Sequence, residues 1–393
     1  MKRIALLGIG HTNADFVRRW IDDPISDVEL TCVSRFARST YSGMLPGTLA
    51  GQFERPEMEI ELQSLCDAAG AELILDEVTG LDRSKDHLTL QLADRGSLDC
   101  HALSVGVGSV PAGGDAFAGI ESFVPVKPMQ TFLQRLRTRL ERLDPSEDSP
   151  CPIAIVGGGV ASVEIAFCLD AWLCNQDEGR MHSKRERRFP IAIYTSDHHV
   201  AGGMTERSVS TIQRLLAKRS IQVVTGQRVT DIAADAIVTG DGNRHSASVT
   251  IWATGASAPE VLSRLGLQTD DRGFLAIGRT LQTLSDPRIF AVGDCGTLIE
   301  NPFPKAGVYA VRQIPVLWNN VRRLLAGESL DEFRPQTGFL KILNTGQGKA
   351  LLEYSRWTHH GRAAWWLKKK IDRDFIKDFQ NFESRQRFES SSA

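Results

Sequence analysis

The sequence predicts an α/β protein made of two doubly wound units, the second inserted in the first, with a small α+β module at the end. Three stretches predict it. Residues 3–9 and 153–156 are short apolar runs, each leading into glycines that open a helix. Residues 288–295 form a third apolar run that ends in Gly293-Asp294. In open parallel sheets, ligands bind beyond the carboxyl ends of the strands. A glycine there lets the backbone approach a ligand, and a carboxylate accepts hydrogen bonds from sugar or polyol hydroxyls.

Composition sets the class. The chain has 393 residues, 42% apolar and 24% charged, as expected for a soluble globular protein of two or three domains. A formal net charge of −2 gives no electrostatic basis for binding nucleic acid. No apolar run is long enough to span a bilayer. Gly8 and Gly10 interrupt the N-terminal apolar stretch, which is expected to be a first strand in a cytoplasmic protein rather than a secretory leader. The seven cysteines are scattered without a C-x-x-C pair, so no metal site or dithiol motif is predicted.

In chain order, strand 3–9 enters Gly8-Ile9-Gly10-His11-Thr12-Asn13, a G-x-G-x-x-N turn, and then a helix over 14–20. The first glycine makes the tight turn, and the second admits a pyrophosphate to the helix N-terminus. Asn13 stands where a third glycine usually lets helix and strand pack closely. Strand 28–33 ends at Ser34-Arg35, where an acid usually binds the adenosine ribose. Ser34 is left as a weaker partner there, and Arg35 as a phosphate contact. The glycine-rich stretch 41–51, which includes Ser42, is either a cover over a flat ring or a surface crossover. Residues 72–78, ending at Val78, and 87–92 are expected in an antiparallel insert. Strand 102–108 closes on Gly108.

A polar, proline-rich linker at 144–150 precedes the second unit. Strand 153–156 leads into Gly157-Gly158-Gly159-Val160-Ala161-Ser162-Val163-Glu164, a G-x-G-x-x-S turn opening a helix to about 174. Its recurrence with the same layout makes both units Rossmann-like. A charged loop is expected at 175–188. Strand 191–194 then runs into Thr195-Ser196-Asp197, with no acid at the strand end itself. Strands 221–225 and 249–252 continue the sheet, the latter into Gly255. Residues 275–277 and the Asp294 strand return to the first unit. The expected domains are therefore 1–143 with 271–332, the insertion 151–270, and a module at 333–393. Lys305-Ala306-Gly307 opens a helix to 325 whose free N–H groups and ammonium favour negative charge. Helix 365–379 is amphipathic, with Leu367, Ile371, Phe375 and Phe379 on one face and a basic run over 368–377. A membrane interface and packing on the first domain are both open for it. Residues 384–393 are expected to be disordered.

The two glycine turns, Ala253-Thr254-Gly255 and Val292-Gly293-Asp294-Cys295 resemble the pyridine nucleotide-disulfide oxidoreductase superfamily, and within it the type II NADH dehydrogenases. Residues 41–47 (YSGMLPG), 124–128 (VPVKP), 304–313 (PKAGVYAVRQ) and 371–380 resemble the oxidoreductase module fused ahead of selenide, water dikinase in some organisms. The kinase module has no counterpart in these residues.

The resemblance implies FAD on Gly8, Gly10, Asn13, Ser34, Arg35, Ser42, Val78, Gly108, Gly293, Asp294, Ala306 and Gly307, with Asp294 on the ribityl chain. It implies NAD(P)H on Gly157, Gly159, Ser162, Ser196 and Gly255. Lys305 and Glu164 are implied as catalytic, the one beside the flavin and the other near the nicotinamide. Two departures bear on the acceptor. Residues 39–51 lack the C-x-x-x-x-C of disulfide reductases, which argues against disulfide reduction. The glutamine pair of quinone-reducing relatives is replaced by Val311 and Arg312.

The expected function is FAD-dependent hydride transfer from NAD(P)H and onward to a quinone-like or other small acceptor. The alternatives are a sulfide or selenium-compound oxidoreductase with Cys295 as relay, linked to selenium metabolism, and a slow redox sensor. Neutral Thr195 and Ser196 at the strand end predict poor discrimination between NADH and NADPH. Expected partners are a small electron acceptor, a membrane surface met by the C-terminal helix on the inner face of the cell membrane, and a second copy in a homodimer.

Overall fold

The computed structural model describes residues 1–144, 149–176, 188–336 and 338–380. Its first sheet has five parallel strands in the order Ile289–Ala291, Ala102–Val105, Lys2–Leu7, Val28–Ser34 and Glu72–Leu75. The central strands are buried apolar runs, as a sheet covered on both faces requires. The chain leaves Lys2–Leu7 on one side and returns on the other. The order therefore reverses between Lys2–Leu7 and Ala102–Val105, where a crevice opens beyond the strand ends. Helices His11–Asp22 and Gly307–Ala326 cover one face. Phe16 meets Trp318 edge-on at 5.0 Å, and the Thr12 hydroxyl donates to the Ala310 carbonyl at 2.8 Å.

A second parallel sheet runs Phe123–Pro125, Val249–Trp252, Ile153–Val156, Ile191–Tyr194 and Gln222–Val224. It too reverses order, between Val249–Trp252 and Ile153–Val156. Phe123–Pro125 joins it from upstream of the linker. The segments that cross between the two sheets are tied together. Val110–Pro111 pairs antiparallel with Ala256–Ser257, and Trp252 Nε1 and Thr254 Oγ1 both donate to the Ala112 carbonyl, at 2.8 and 2.7 Å.

Two expectations change. Glu72–Leu75 is the edge of the first parallel sheet, and the antiparallel insert is Val78–Arg83, Leu88–Leu92 and Ser97–Cys100. The glycine-rich stretch 41–51 contains a buried helix, Leu45–Leu49, rather than a surface crossover. Pro46 presets the first turn of that helix, and a side chain at Gly47 would meet the Phe53 ring at 2.6 Å. The C-terminal module is α+β, as expected. There an antiparallel sheet of Lys341–Asn344, Ala350–Tyr354 and Trp357–Gly361 precedes helix Arg362–Lys377.

That helix packs on the first domain. Its inward face is Ala364, Lys368, Asp372 and Ile376, while Ile371 is 43% exposed. Lys368 pairs with Asp372 at 3.1 Å and donates to the Gly43 carbonyl at 3.0 Å. Tyr41 stacks on Phe375 at 4.6 Å and its hydroxyl bonds Asp372 at 3.2 Å. Lys368 is thus part of the packed face rather than a free basic residue. Positions 145–148 of the linker, 177–187 of the charged loop and the tail 384–393 lie outside the described residues. No helix among the described residues is long and apolar enough to cross a membrane.

Candidate active site

The first cradle sits at the reversal point of the first sheet. Gly8 has φ +77°, and a Cβ there would lie 2.8 Å from Val107 Cα. A Cβ at Gly10 would lie 3.1 Å from the Gly106 carbonyl. Gly108, at φ +75°, faces open space. No side chain caps helix His11–Asp22, so its first N–H groups suit an anion. Asn13 is fully buried and takes over the missing glycine's contact. Its amide donates to the carbonyls of Gly8 at 2.8 Å and Ser104 at 3.3 Å, and accepts from Ser104 Oγ at 2.7 Å. The close approach has moved to the facing strand, where a Cβ on Gly106 would meet Asn13 Nδ2 at 2.6 Å.

Asp294 stands over this cradle with two partners that the sequence reading missed. Ser109 Oγ donates to Asp294 Oδ2 at 2.7 Å, and Lys127 Nζ donates to Ser109 Oγ at 2.6 Å and to Asp294 Oδ2 at 3.4 Å. Gly293 N–H donates to Gln313 Oε1 at 2.7 Å. Gln313 is a further missed residue. Three buried nitrogens on helices His11–Asp22 and Gly307–Ala326 have no partner: His11 Nε2, Arg312 Nη1 and Gln313 Nε2. Burial pushes His11 down to about 4, partly opposed by the charge of Asp294 and reinforced by that of Lys127. The only sequence signals for Lys127 and Gln313 were the short stretches 124–128 and 304–313.

Lys305 is held by protein groups. Its ammonium donates to the Gly296 carbonyl at 2.6 Å and Thr297 Oγ1 at 2.8 Å, and lies 4.1 Å from the Phe274 ring centre. Burial lowers it to about 8, against the opposing pull of Cys295, Asp270 and Asp294. Ala306 and Gly307 do open an uncapped helix, and Ser42 Oγ would lie 3.7 Å from a Cβ on Gly307. At the far end, the Ser34 hydroxyl is engaged with Phe36 and Arg35 pairs with Glu77 at 2.8 Å, beside buried Val78. Cys295 is fully buried, its thiol donating to the carbonyls of Val105 and Val292, and burial pushes it up to about 11.

The second cradle repeats the geometry. Gly157 has φ +132°, and a Cβ there would lie 2.2 Å from the Ala253 carbonyl. Ser162 Oγ donates to that same carbonyl at 3.0 Å. Gly159 and Gly255 face open space, and Ser196 is exposed. Asp197 folds back toward the turn. A Cβ on Gly158 would lie 3.3 Å from its Oδ2. Glu164 accepts from Asn344 N–H at 2.7 Å, and burial raises it despite the nearby charge of Lys368. Among the described residues no cluster suits a metal ion.

The profile of the pyridine nucleotide-disulphide oxidoreductase family matches residues 2–320. The chain belongs to that family. The NADH dehydrogenase-like protein YutJ of Bacillus subtilis (strain 168) is 20% identical over 371 residues, 89% of this chain and 91% of its own. A type II NADH:quinone oxidoreductase of Staphylococcus aureus (strain NCTC 8325 / PS 47) is 19% identical over 350 residues, 84% of this chain and 85% of its own. Among solved structures, NDH2 from Plasmodium falciparum superposes with a TM-score of 0.79 at 13% identity, covering 97% and 98% of the two chains. The sulfide:quinone oxidoreductase of Aquifex aeolicus does so at 0.77 with 18% identity, covering 97% and 92%. These likenesses show a shared fold. The family member described here is an NAD(P)H oxidoreductase of the NADH dehydrogenase-like kind, and FAD and NAD(P)H are the cofactors that membership implies. The first cradle fits FAD: Cβ-free turns at a helix N-terminus, an acceptor carboxylate, and unpartnered buried nitrogens on both covering helices.

Proposed function

We propose that the protein moves a hydride from NADH to FAD and hands the electrons to a small quinone-like acceptor. The observation that carries this is the pairing of two cradles. Each lies at the reversal point of a parallel sheet, and the segments crossing between them are tied together at 110–111 and 256–257. When bound, FAD supplies the ring that accepts and passes on the electrons. The chain's own residues do the rest. Gly8 and Gly10 admit a pyrophosphate to a helix N-terminus, and Asp294 accepts from a polyol hydroxyl. Gly157 and Gly159 do the same for the nicotinamide dinucleotide. Asp197, held beside Gly158, is placed to bind a ribose 2′-hydroxyl and to repel a 2′-phosphate. The poor discrimination expected from Thr195 and Ser196 therefore gives way to a preference for NADH.

Quinone as acceptor rests on the similarity to NADH:quinone and sulfide:quinone oxidoreductases. A Cys295 relay to sulfur or selenium compounds has no support from its site, since a buried thiol pushed up to about 11 is not a ready nucleophile. A selenium- or sulfur-linked acceptor would have to meet the cofactor directly.

Peripheral attachment to anionic lipid is part of the proposal. Trp366 and Ile371 are 60% and 43% exposed on the outer side of helix Arg362–Lys377, where Lys370 and Lys377 are also exposed. The full chain should sediment with anionic vesicles at low salt, and protein left in the supernatant rejects this attachment. The enzymatic proposal is tested by purification and anaerobic mixing with NADH. Yellow protein bleached by NADH and reoxidised by a quinone supports it; colourless protein that takes up no FAD ends it. Rapid bleaching with negligible turnover on every acceptor would favour a redox sensor instead.

A further inference from the structure

We propose that Lys127 is the cation that offsets the negative charge a bound flavin gains on reduction, and so sets its reduction potential. This deepens the proposed function and rests on the first cradle holding FAD. A hydride carries two electrons and one proton. Its transfer leaves the nicotinamide one unit more positive and the acceptor ring one unit more negative. A fixed positive charge in a partly desolvated site stabilises that added charge without reorganisation.

Two other basic groups that feel the charge of Asp294 are placed differently. Lys305 is tied to the Gly296 carbonyl and Thr297 and stands against Phe274. His11 is neutral at pH 7, pushed down to about 4. Lys127 instead reaches Asp294 through Ser109, with its side chain 29% exposed and that of Asp294 21%.

Its placement is built by the fold. Phe123–Pro125 pairs with Val249–Trp252, and Val126 N–H extends that pairing to the Trp252 carbonyl at 3.0 Å. On the other side, Arg135 donates to the carbonyls of Pro125 at 2.8 Å and Pro128 at 3.3 Å. Lys127 is therefore carried by the sheet of the nicotinamide unit yet delivered to the carboxylate of the flavin unit. A group held on both sides keeps its geometry, as an electrostatic role demands.

The test is a potentiometric titration of bound flavin in the wild type and in K127M, K127Q and K127R. K127M should shift the midpoint to lower potential. The shift should raise the oxidised-to-reduced ratio at a fixed potential by about tenfold or more, ~30 mV for two electrons. K127Q should shift the same way, and K127R should restore most of the difference. Affinity for oxidised FAD and the apoprotein's denaturation midpoint should move little, while affinity for reduced flavin should fall by the same factor. Where K127M releases flavin, the titration is run on K127Q in excess FAD. An unchanged midpoint in flavin-loaded K127M or K127Q overturns the proposal, as does a shift that K127R reproduces in full. Failure of the wild-type protein to bind FAD would instead sink the functional reading, and it is seen before any variant is made.

Discussion

The exchange between Asn13 and Gly106 can be tested by its energetics. The Asn13 amide makes three buried hydrogen bonds, two to the carbonyls of Gly8 and Ser104 and one from Ser104 Oγ. At a net ~1 kcal/mol each, Asn13→Ala should cost about 3 kcal/mol. Gly106→Ala places a Cβ 2.6 Å from Nδ2 and 3.0 Å from Cγ of Asn13, so the amide must leave. The same three bonds are lost, again about 3 kcal/mol. Because each change destroys what the other destroys, the double variant should cost about 3–4 kcal/mol rather than ~6, a coupling of about 2–3 kcal/mol. Urea denaturation of the apoproteins, compared at a common slope, measures all three variants. Additive losses within ~0.5 kcal/mol would refute the reasoning, as would a Gly106→Ala protein as stable as the parent.

Further outcomes follow from other contacts. Gly157→Ala sets a Cβ 2.2 Å from the Ala253 carbonyl at a φ of +132°, so it should abolish flavin reduction by NADH while leaving FAD content intact, read by absorbance and stopped flow. Asp197→Asn should narrow the NADH preference by about tenfold, ~1.4 kcal/mol, in the ratio of kcat/KM values; an unchanged ratio would remove Asp197 from the ribose site. His11 is held at about 4 in the fold, against 6.5 for a free imidazole. The unfolded chain therefore binds the extra proton between those values, so His11 makes stability fall as pH drops from about 6.5 to about 4. In His11→Gln apoprotein that part of the acid sensitivity should vanish, as judged by denaturation midpoints at both ends of the window.

Local signals were legible in the sequence. Apolar runs closing on glycine marked both cradles and the Asp294 strand, because strand, turn and helix are neighbours along the chain. What depended on distant partners was not. Phe123–Pro125 is three residues long, and its place is set by pairing with Val249–Trp252, far along the chain. The direction of Lys305 depends on Gly296–Leu298, and the role of Lys127 beside Asp294 on a contact between two units. In helix Arg362–Lys377, Lys368 read as part of a basic run, whereas its burial with Asp372 is decided by Tyr41 and Gly43. The closeness of Asp197 to Gly158 was not legible, because Asp197 lies past the strand end and only its backbone turn brings it there.

Asn344, in the C-terminal sheet, touches every part of the molecule at once. Its N–H donates to Glu164 of the inserted unit, its Nδ2 to Gln52 Oε1 of the first unit at 2.7 Å, and its Oδ1 accepts from Gly346 N–H of its own hairpin at 2.9 Å. With the crossing ribbon at 110–111 and 256–257 as a second fastening, the two nucleotide units are held like the legs of a braced compass. Bending one unit against the other would have to break contacts at two separate places.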